Sequence, residues 1–229
     1  MSQVLEKLSS PLPATRCKVV LMCSGKGGCG RSSIARALLV TAAQKGVPAI
    51  GIDFDPQQTL LKWSLKRQHT RATLPNFVEV RVEPARLQDW RETLERLTGY
   101  ALAVLDTPPT IEDHIAAVHG LCDTASIVLV PSSSTPDDLD SVIPWVANLV
   151  NRHVRVASVL NRVDRRTKLF GAARTKLLRA GPLLPIEIPS YEDIPSHAQH
   201  GLTVLDIERA RGADAYEGVW TCVTREIGL

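Results

Sequence analysis

The chain has 229 residues, 44% hydrophobic and 22% charged, with a formal net charge of +3. That composition excludes a fibrous or low-complexity chain and argues against disorder, and the length suits one α/β domain, expected over residues 17–229 behind a short arm at 1–16. No apolar run approaches the roughly 18 residues of a membrane span, and five cysteines without a C-x-x-C pair argue against a disulfide framework or zinc site, so a cytoplasmic chain with reduced thiols is expected.

In chain order, residues 19–23 form a short apolar run that ends in a glycine-rich turn, and a helical pattern follows from Ser32 to about Lys45. The theme repeats, with strands predicted at 47–52, 77–82 and 100–105 and helices at 57–69 and 87–97. Further strands are predicted at 125–130, 154–160 and 183–188, and a last helix near 214–226. Strand and helix alternate and the strands read as continuous apolar runs, which predicts a doubly wound, mostly parallel sheet with helices on both faces.

The turn after the first strand reads Gly25-Lys26-Gly27-Gly28-Cys29-Gly30-Arg31-Ser32-Ser33. Gly25, Gly30 and Ser32 fit the phosphate-binding pattern G-x-x-x-x-G-K-[ST], in which backbone N–H groups surround phosphates, a lysine reaches the β/γ oxygens and a hydroxyl holds Mg²⁺. Arg31 stands where the pattern has lysine. It keeps the charge but replaces a compact ammonium with a planar fork. The same glycines satisfy the dinucleotide fingerprint G-x-G-x-x-G with Asp53 at the ribose position. That reading leaves unexplained Arg31-Ser32 and two acidic strand ends, Asp53-Phe54-Asp55-Pro56-Gln57 and Leu105-Asp106-Thr107-Pro108-Pro109. A phosphate-binding loop uses all of them, because carboxylates at strand ends near the loop can support Mg²⁺ and orient a water.

Together, Lys26-Gly27-Gly28-x-Gly30, Asp53-x-Asp55-Pro56-Gln57 with Trp63 downstream, and Asp106-Thr107-Pro108-Pro109 closely resemble the deviant Walker ATPases of the ParA/MinD type, over about residues 18–215. The short partition ATPases and related conjugation-associated proteins are the nearest pattern. The resemblance implies ATP and Mg²⁺ as cofactors and a nucleotide-sandwich homodimer, with Lys26 reaching the partner's phosphates. The loop from Gly25 to Ser33, including Gly27, Gly28, Cys29, Gly30 and Arg31, would hold the nucleotide. Ser32 would bind Mg²⁺, Asp106 would support it through water, Asp53 would stand just behind, and Asp55 would position the hydrolytic water. Asn161 would read the base, and the loop from Pro189 to Tyr191 would form the other wall of the adenine pocket.

Arg31 departs from the family pattern, and three readings stay open: an imperfect phosphate ligand with slow turnover, binding without hydrolysis, or a side chain that points away and leaves Lys26 as the main cation. Residues 151–180 carry nine basic residues against the single acid Asp164, a local +8 on a chain otherwise at −5. A helix predicted over 165–179 places Arg165, Lys168, Lys176 and Arg179 within about 80° of one another, opposite Leu169, Phe170, Ala173 and Leu177. Such a stripe suits sequence-independent DNA binding through phosphates, against the plainer alternative of a solvated helix face.

The leading expectation is therefore an ATP-switched DNA-partition or positioning ATPase, nucleoid-associated, working with a cargo adaptor or centromere-binding protein. The alternative is a hydrolysis-impaired ATP- and DNA-binding module. A membrane-positioning ATPase is disfavoured, since residues 219–229 hold one base and one acid, a poor match to anionic lipid. A small-molecule synthetase does not need the basic stripe. His197 and His200 read as surface residues, Cys29 as a small loop spacer and Ser132-Ser133-Ser134 as a turn.

Overall fold

The computed structural model describes residues 17–109 and 114–229; the expected arm at 1–16 lies outside them. The strands are β1 (Lys18–Met22), β2 (Ala49–Asp53), β3 (Val82–Pro84), β4 (Leu102–Asp106), β5 (Ile127–Ser132), β6 (Val156–Val163) and β7 (Ile188–Pro189). They form one sheet in the order β3-β2-β4-β1-β5-β6-β7, and every pairing is parallel. The helices are α1 (Arg31–Gln44), α2 (Thr59–Thr73), α3 (Trp90–Glu95), α4 (Ile115–Thr124), α5 (Pro136–Asn151), α6 (Lys168–Ala180), α7 (Asp193–Ala198) and α8 (Ala213–Ile227).

Side chains alternate across each strand, so β1 sends Val19 and Leu21 to one face and Val20 and Met22 to the other. The first face is covered by residues of α4, α5 and α6, including Leu121, Val142, Leu149 and Leu177. The second is covered by α1, α2 and α8 through Leu38, Leu39, Leu60, Trp63, Val219 and Val223. Burial on both sides explains the continuous apolar runs in the sequence.

Three predicted elements differ. The expected strand at 77–82 pairs only over Val82–Pro84, because the carbonyls of Phe77 and Val78 accept from Arg71 and Arg67. The expected strand at 183–188 is reduced to one bridge, Ser158 to Leu183, and the pair Ile188–Pro189; Pro185 interrupts it. β6 runs three residues further than expected and carries a bulge at Arg162, between Asn161 and Val163.

The α2 corner is locked by a buried ion pair. Arg67 donates to Asp206 at 2.7 and 2.9 Å and to the carbonyls of Val78 and Gly201, and both charged side chains are 1% exposed. Removing one partner of such a pair strands the other charge in the interior. Asp206→Ala should lower the unfolding free energy by roughly 3–5 kcal/mol in urea titration. Glu92→Ala, which breaks the exposed pair with Arg96, should change it by less than about 1 kcal/mol.

Candidate nucleotide site

Hydrogen-bond register brings Met22, Asp106 and Asp53 side by side at the carboxyl edge of β1, β4 and β2. The turn from β1 passes over this edge and enters α1. Gly28 and Gly30 adopt φ +78° and +95°, which side chains resist. At Gly30 a Cβ would also collide with the Asn161 amide nitrogen. Gly30 caps α1, among the described residues no side chain accepts from the first amides of the helix, and its first turn holds no acid. A helix N-terminus in this condition favours an anion.

Ser32 and Asp106 are brought together as expected: the Ser32 hydroxyl donates to Asp106 Oδ2 at 2.5 Å. Asp106 Oδ1 is buried without a hydrogen-bond partner among the described residues. Burial drives the Asp106 carboxyl up to about 7; the Ser32 hydrogen bond opposes that, and the charge of Asp53 adds to it. The Arg31 guanidinium stands beyond hydrogen-bond reach, with Nε 4.0 Å from Oδ1; a carboxylate oxygen without a hydrogen bond, beside a hydroxyl, fits a hard divalent cation that takes oxygen ligands. Among the described residues, no cluster of three or more His, Cys, Asp or Glu forms an independent metal site.

Asp53, expected just behind the metal, has both oxygens engaged by backbone amides. Its Oδ2 accepts the amides of Leu60 and Leu61, both at 2.9 Å, and Oδ1 accepts that of Asp55. It therefore holds the start of α2 and the turn that presents Asp55. Asp55 itself is half-buried at the mouth of the edge, with Oδ1 accepting from Gln57 N.

The cations also depart from simple expectation. Lys26 is half-buried and reaches Asp138 of α5 at 2.9 Å. That hydrogen bond raises the Lys26 ammonium above its ordinary value. Burial works to raise Asp138, but the hydrogen bonds from Lys26 and Ser133 outweigh it and hold the carboxyl low. Arg31 is 7% exposed and turns beneath the loop, where Nη1 donates to the carbonyls of Ser24 at 2.9 Å and Lys26 at 2.7 Å and approaches Cys29 Sγ at 3.6 Å. Of the readings open for Arg31, this orientation matches the side chain that points away. Cys29 is buried under the loop, and Ser33 follows on the first turn of α1.

Asn161 and Pro189 lie on neighbouring strands, with Asn161 paired to Ile188. The Asn161 side chain faces the loop, donating from Nδ2 to the Cys29 carbonyl at 2.8 Å. Arg162, which the sequence reading passed over, donates to the Gly28 carbonyl at 2.8 Å. Its place next to Asn161 was the available signal. Asp138 was also missed; its signal was the acidic first turn of α5. Pro189 and Tyr191 line an open cleft of about 1110 Å³ with Arg165, Arg166 and Arg211.

The basic segment is less concentrated than its charge count. Arg152 pairs with Asp123, and Arg155 donates to the Glu226 carbonyl, both at the opposite edge of the sheet from the loop. Arg165 precedes α6 instead of lying on it, and pairs with Glu187. α6 begins at Lys168 because Thr167 caps it, accepting from Phe170 N. Lys168, Lys176 and Arg179 are exposed along its outer side, while Ala173 and Leu177 alone are buried. Leu169, expected on the apolar face, is 49% exposed.

The Asp106 geometry has a pH signature. Its carboxyl titrates near 7 in the fold and near 3.8 when free, so the folded chain keeps a proton that the unfolded chain has lost. Without metal or nucleotide, stability should therefore fall as pH rises from about 4 to about 7 and level off above. Asp106→Asn should remove most of that slope, its melting advantage over the wild type growing up to about pH 7 in EDTA.

The profile of the CobQ/CobB/MinD/ParA nucleotide binding domain matches residues 20–204. The maintenance of carboxysome distribution protein A of Gloeobacter kilaueensis is 30% identical over 205 residues, which cover 87% of this chain and 88% of that protein. The MinD cell division protein of Aquifex aeolicus superposes with a TM-score of 0.74 at 16% identity, over 91% of this chain and 98% of that one. A putative plasmid partition protein of Borrelia burgdorferi, solved with AMPPNP, superposes at 0.72 and 15% identity, over 92% and 99%. Those structural likenesses speak for the fold; the profile match and the carboxysome-distribution relative carry the assignment. The chain belongs to the CobQ/CobB/MinD/ParA family of nucleotide-binding domains.

Proposed function

We propose that the chain is an ATP- and Mg²⁺-dependent switch that dimerises around nucleotide, binds DNA without sequence preference and so positions or partitions DNA or another cargo. The observation that carries this reading is the loop edge: a helix N-terminus without a side-chain cap behind two left-handed glycines, with the Ser32–Asp106 pair and its Oδ1, which has no hydrogen-bond partner among the described residues, beside it. Loop and α1 amides bind and orient the phosphates. Ser32 and Asp106 are the residues that would hold Mg²⁺, which when bound neutralises phosphate charge. Asp55 orients the attacking water, and Asp53 keeps Asp55 in place by bonding its amide. Lys26 is the cation that serves a partner subunit's nucleotide, after it leaves Asp138. The relatives named for partition, cell division and carboxysome distribution support a positioning role, with a cargo adaptor or centromere-binding protein as partner.

Lys168, Lys176 and Arg179, exposed and without an ion pair within 4.0 Å among the described residues, support a DNA surface. A nucleoid-associated location follows from that reading. Among the described residues no helix is long and apolar enough to cross a membrane, and the apolar side of α8 is packed against the sheet through Val219, Trp220 and Val223.

A second reading, a nucleotide-gated module with impaired turnover, rests on Arg31, whose guanidinium faces the loop's underside. Phosphate release separates the two: sustained turnover that is lost in Asp55→Ala and Lys26→Ala supports the switch ATPase, and bound but unhydrolysed ATP supports the module.

Sizing with ATP and Mg²⁺ should show a dimer that disappears in Lys26→Ala. Neither dimerisation nor a change in DNA affinity on adding ATP would sink the proposal. Replacing Lys168, Lys176 and Arg179 with alanine should weaken DNA binding about equally for all sequences and reduce the log–log salt slope by about 2 to 3.

A further inference from the structure

Three side chains hold the carbonyls of the loop. Arg31 Nη1 takes those of Ser24 and Lys26, Arg162 takes Gly28 and Asn161 takes Cys29. In each planar peptide the following N–H points opposite to the carbonyl. Pinning these four carbonyls therefore turns the N–H groups of Gly25, Gly27, Cys29 and Gly30 away from the clamping side chains. Among the described residues none of the four donates a hydrogen bond. Successive N–H groups around left-handed residues form a concavity suited to an anion.

Two further features show that the arrangement is built. Arg162 occupies a β-bulge at φ +55°, a strained conformation for a residue with a side chain, and from there its guanidinium reaches Gly28. Gly30 has no room for a side chain, because Asn161 packs against it. We infer that Arg31, Asn161 and Arg162 form a carbonyl clamp that presets the phosphate-binding amides before nucleotide arrives. Arg31 is then a positioning residue acting through the backbone and is not a phosphate ligand. Order already imposed on the free loop does not have to be imposed on binding, so affinity rises. This rests on the nucleotide-binding reading.

The test is the affinity of a fluorescent ADP analogue at two salt concentrations, with melting curves to confirm folding. Arg162 is exposed, so its variants should fold. Arg162→Ala should weaken binding about tenfold, the scale of one charge-assisted hydrogen bond, with a salt dependence parallel to the wild type. Arg162→Lys, which still donates, should recover most of the loss. Arg31→Met, similar in length but without donors, should weaken binding by at least about tenfold and lower the melting temperature of the free protein. The clamp is overturned if Arg162→Ala binds within twofold of wild type, or if its loss comes with a flatter salt dependence, the mark of a direct phosphate contact. Wild-type protein that binds no adenine nucleotide would refute the nucleotide reading itself, and the clamp with it.

Discussion

The parallel register of β1, β4 and β2 is the constraint on which the site depends. Parallel strands all emerge at one edge, so every βα turn in this part of the sheet opens on the same side, and the register sets Met22, Asp106 and Asp53 in a row there. Because helices cover both faces, Asp106 is almost wholly removed from water, and its charge is countered by the Ser32 hydroxyl and by the Arg31 guanidinium, whose Nε stands 4.0 Å from Oδ1. A one-residue slip of β4 would send that carboxylate to the other face, so the packing that holds register also maintains the site.

The two carboxylates at this edge illustrate how environment divides labour between like groups. Asp53 accepts three backbone amides and anchors α2, whereas Asp106 retains an unused oxygen. The cations divide similarly. The ammonium of Lys26 sits at the loop's rim and can exchange one carboxylate for another anion. The guanidinium of Arg31 lies below the loop, its Nη1 bonded to loop carbonyls and its Nε 4.0 Å from Asp106. A planar multi-donor group suits the fixed underside and a compact point charge suits the movable rim, which makes the exchange of lysine for arginine at position 31 a change of role and not of charge.

The β6 terminus joins the two halves of the proposed function. Asn161 and Arg162 hold the loop; a few residues later Thr167 caps α6, whose outer side presents Lys168, Lys176 and Arg179. The same short segment therefore borders the nucleotide loop and the basic surface, and no separate connecting element is required between them.

Read alone, the sequence was enough for the doubly wound architecture and the loop between β1 and α1, because these follow from apolar runs and glycines that are local in the chain; the common place of Ser32 and Asp106 came only from the family resemblance. It failed where long-range partners decide. The 77–82 strand shrank because Arg67 and Arg71 took its carbonyls. The +8 segment was divided because Arg152 and Arg155 sit at the opposite edge of the sheet from Arg162, and Arg165 fell outside α6. Spacing identifies which residues carry charge, but the direction of a long flexible side chain depends on which acceptors the fold brings within reach. That is why Lys26 was found on Asp138 and Asn161 on Cys29: tertiary structure alone set those acceptors.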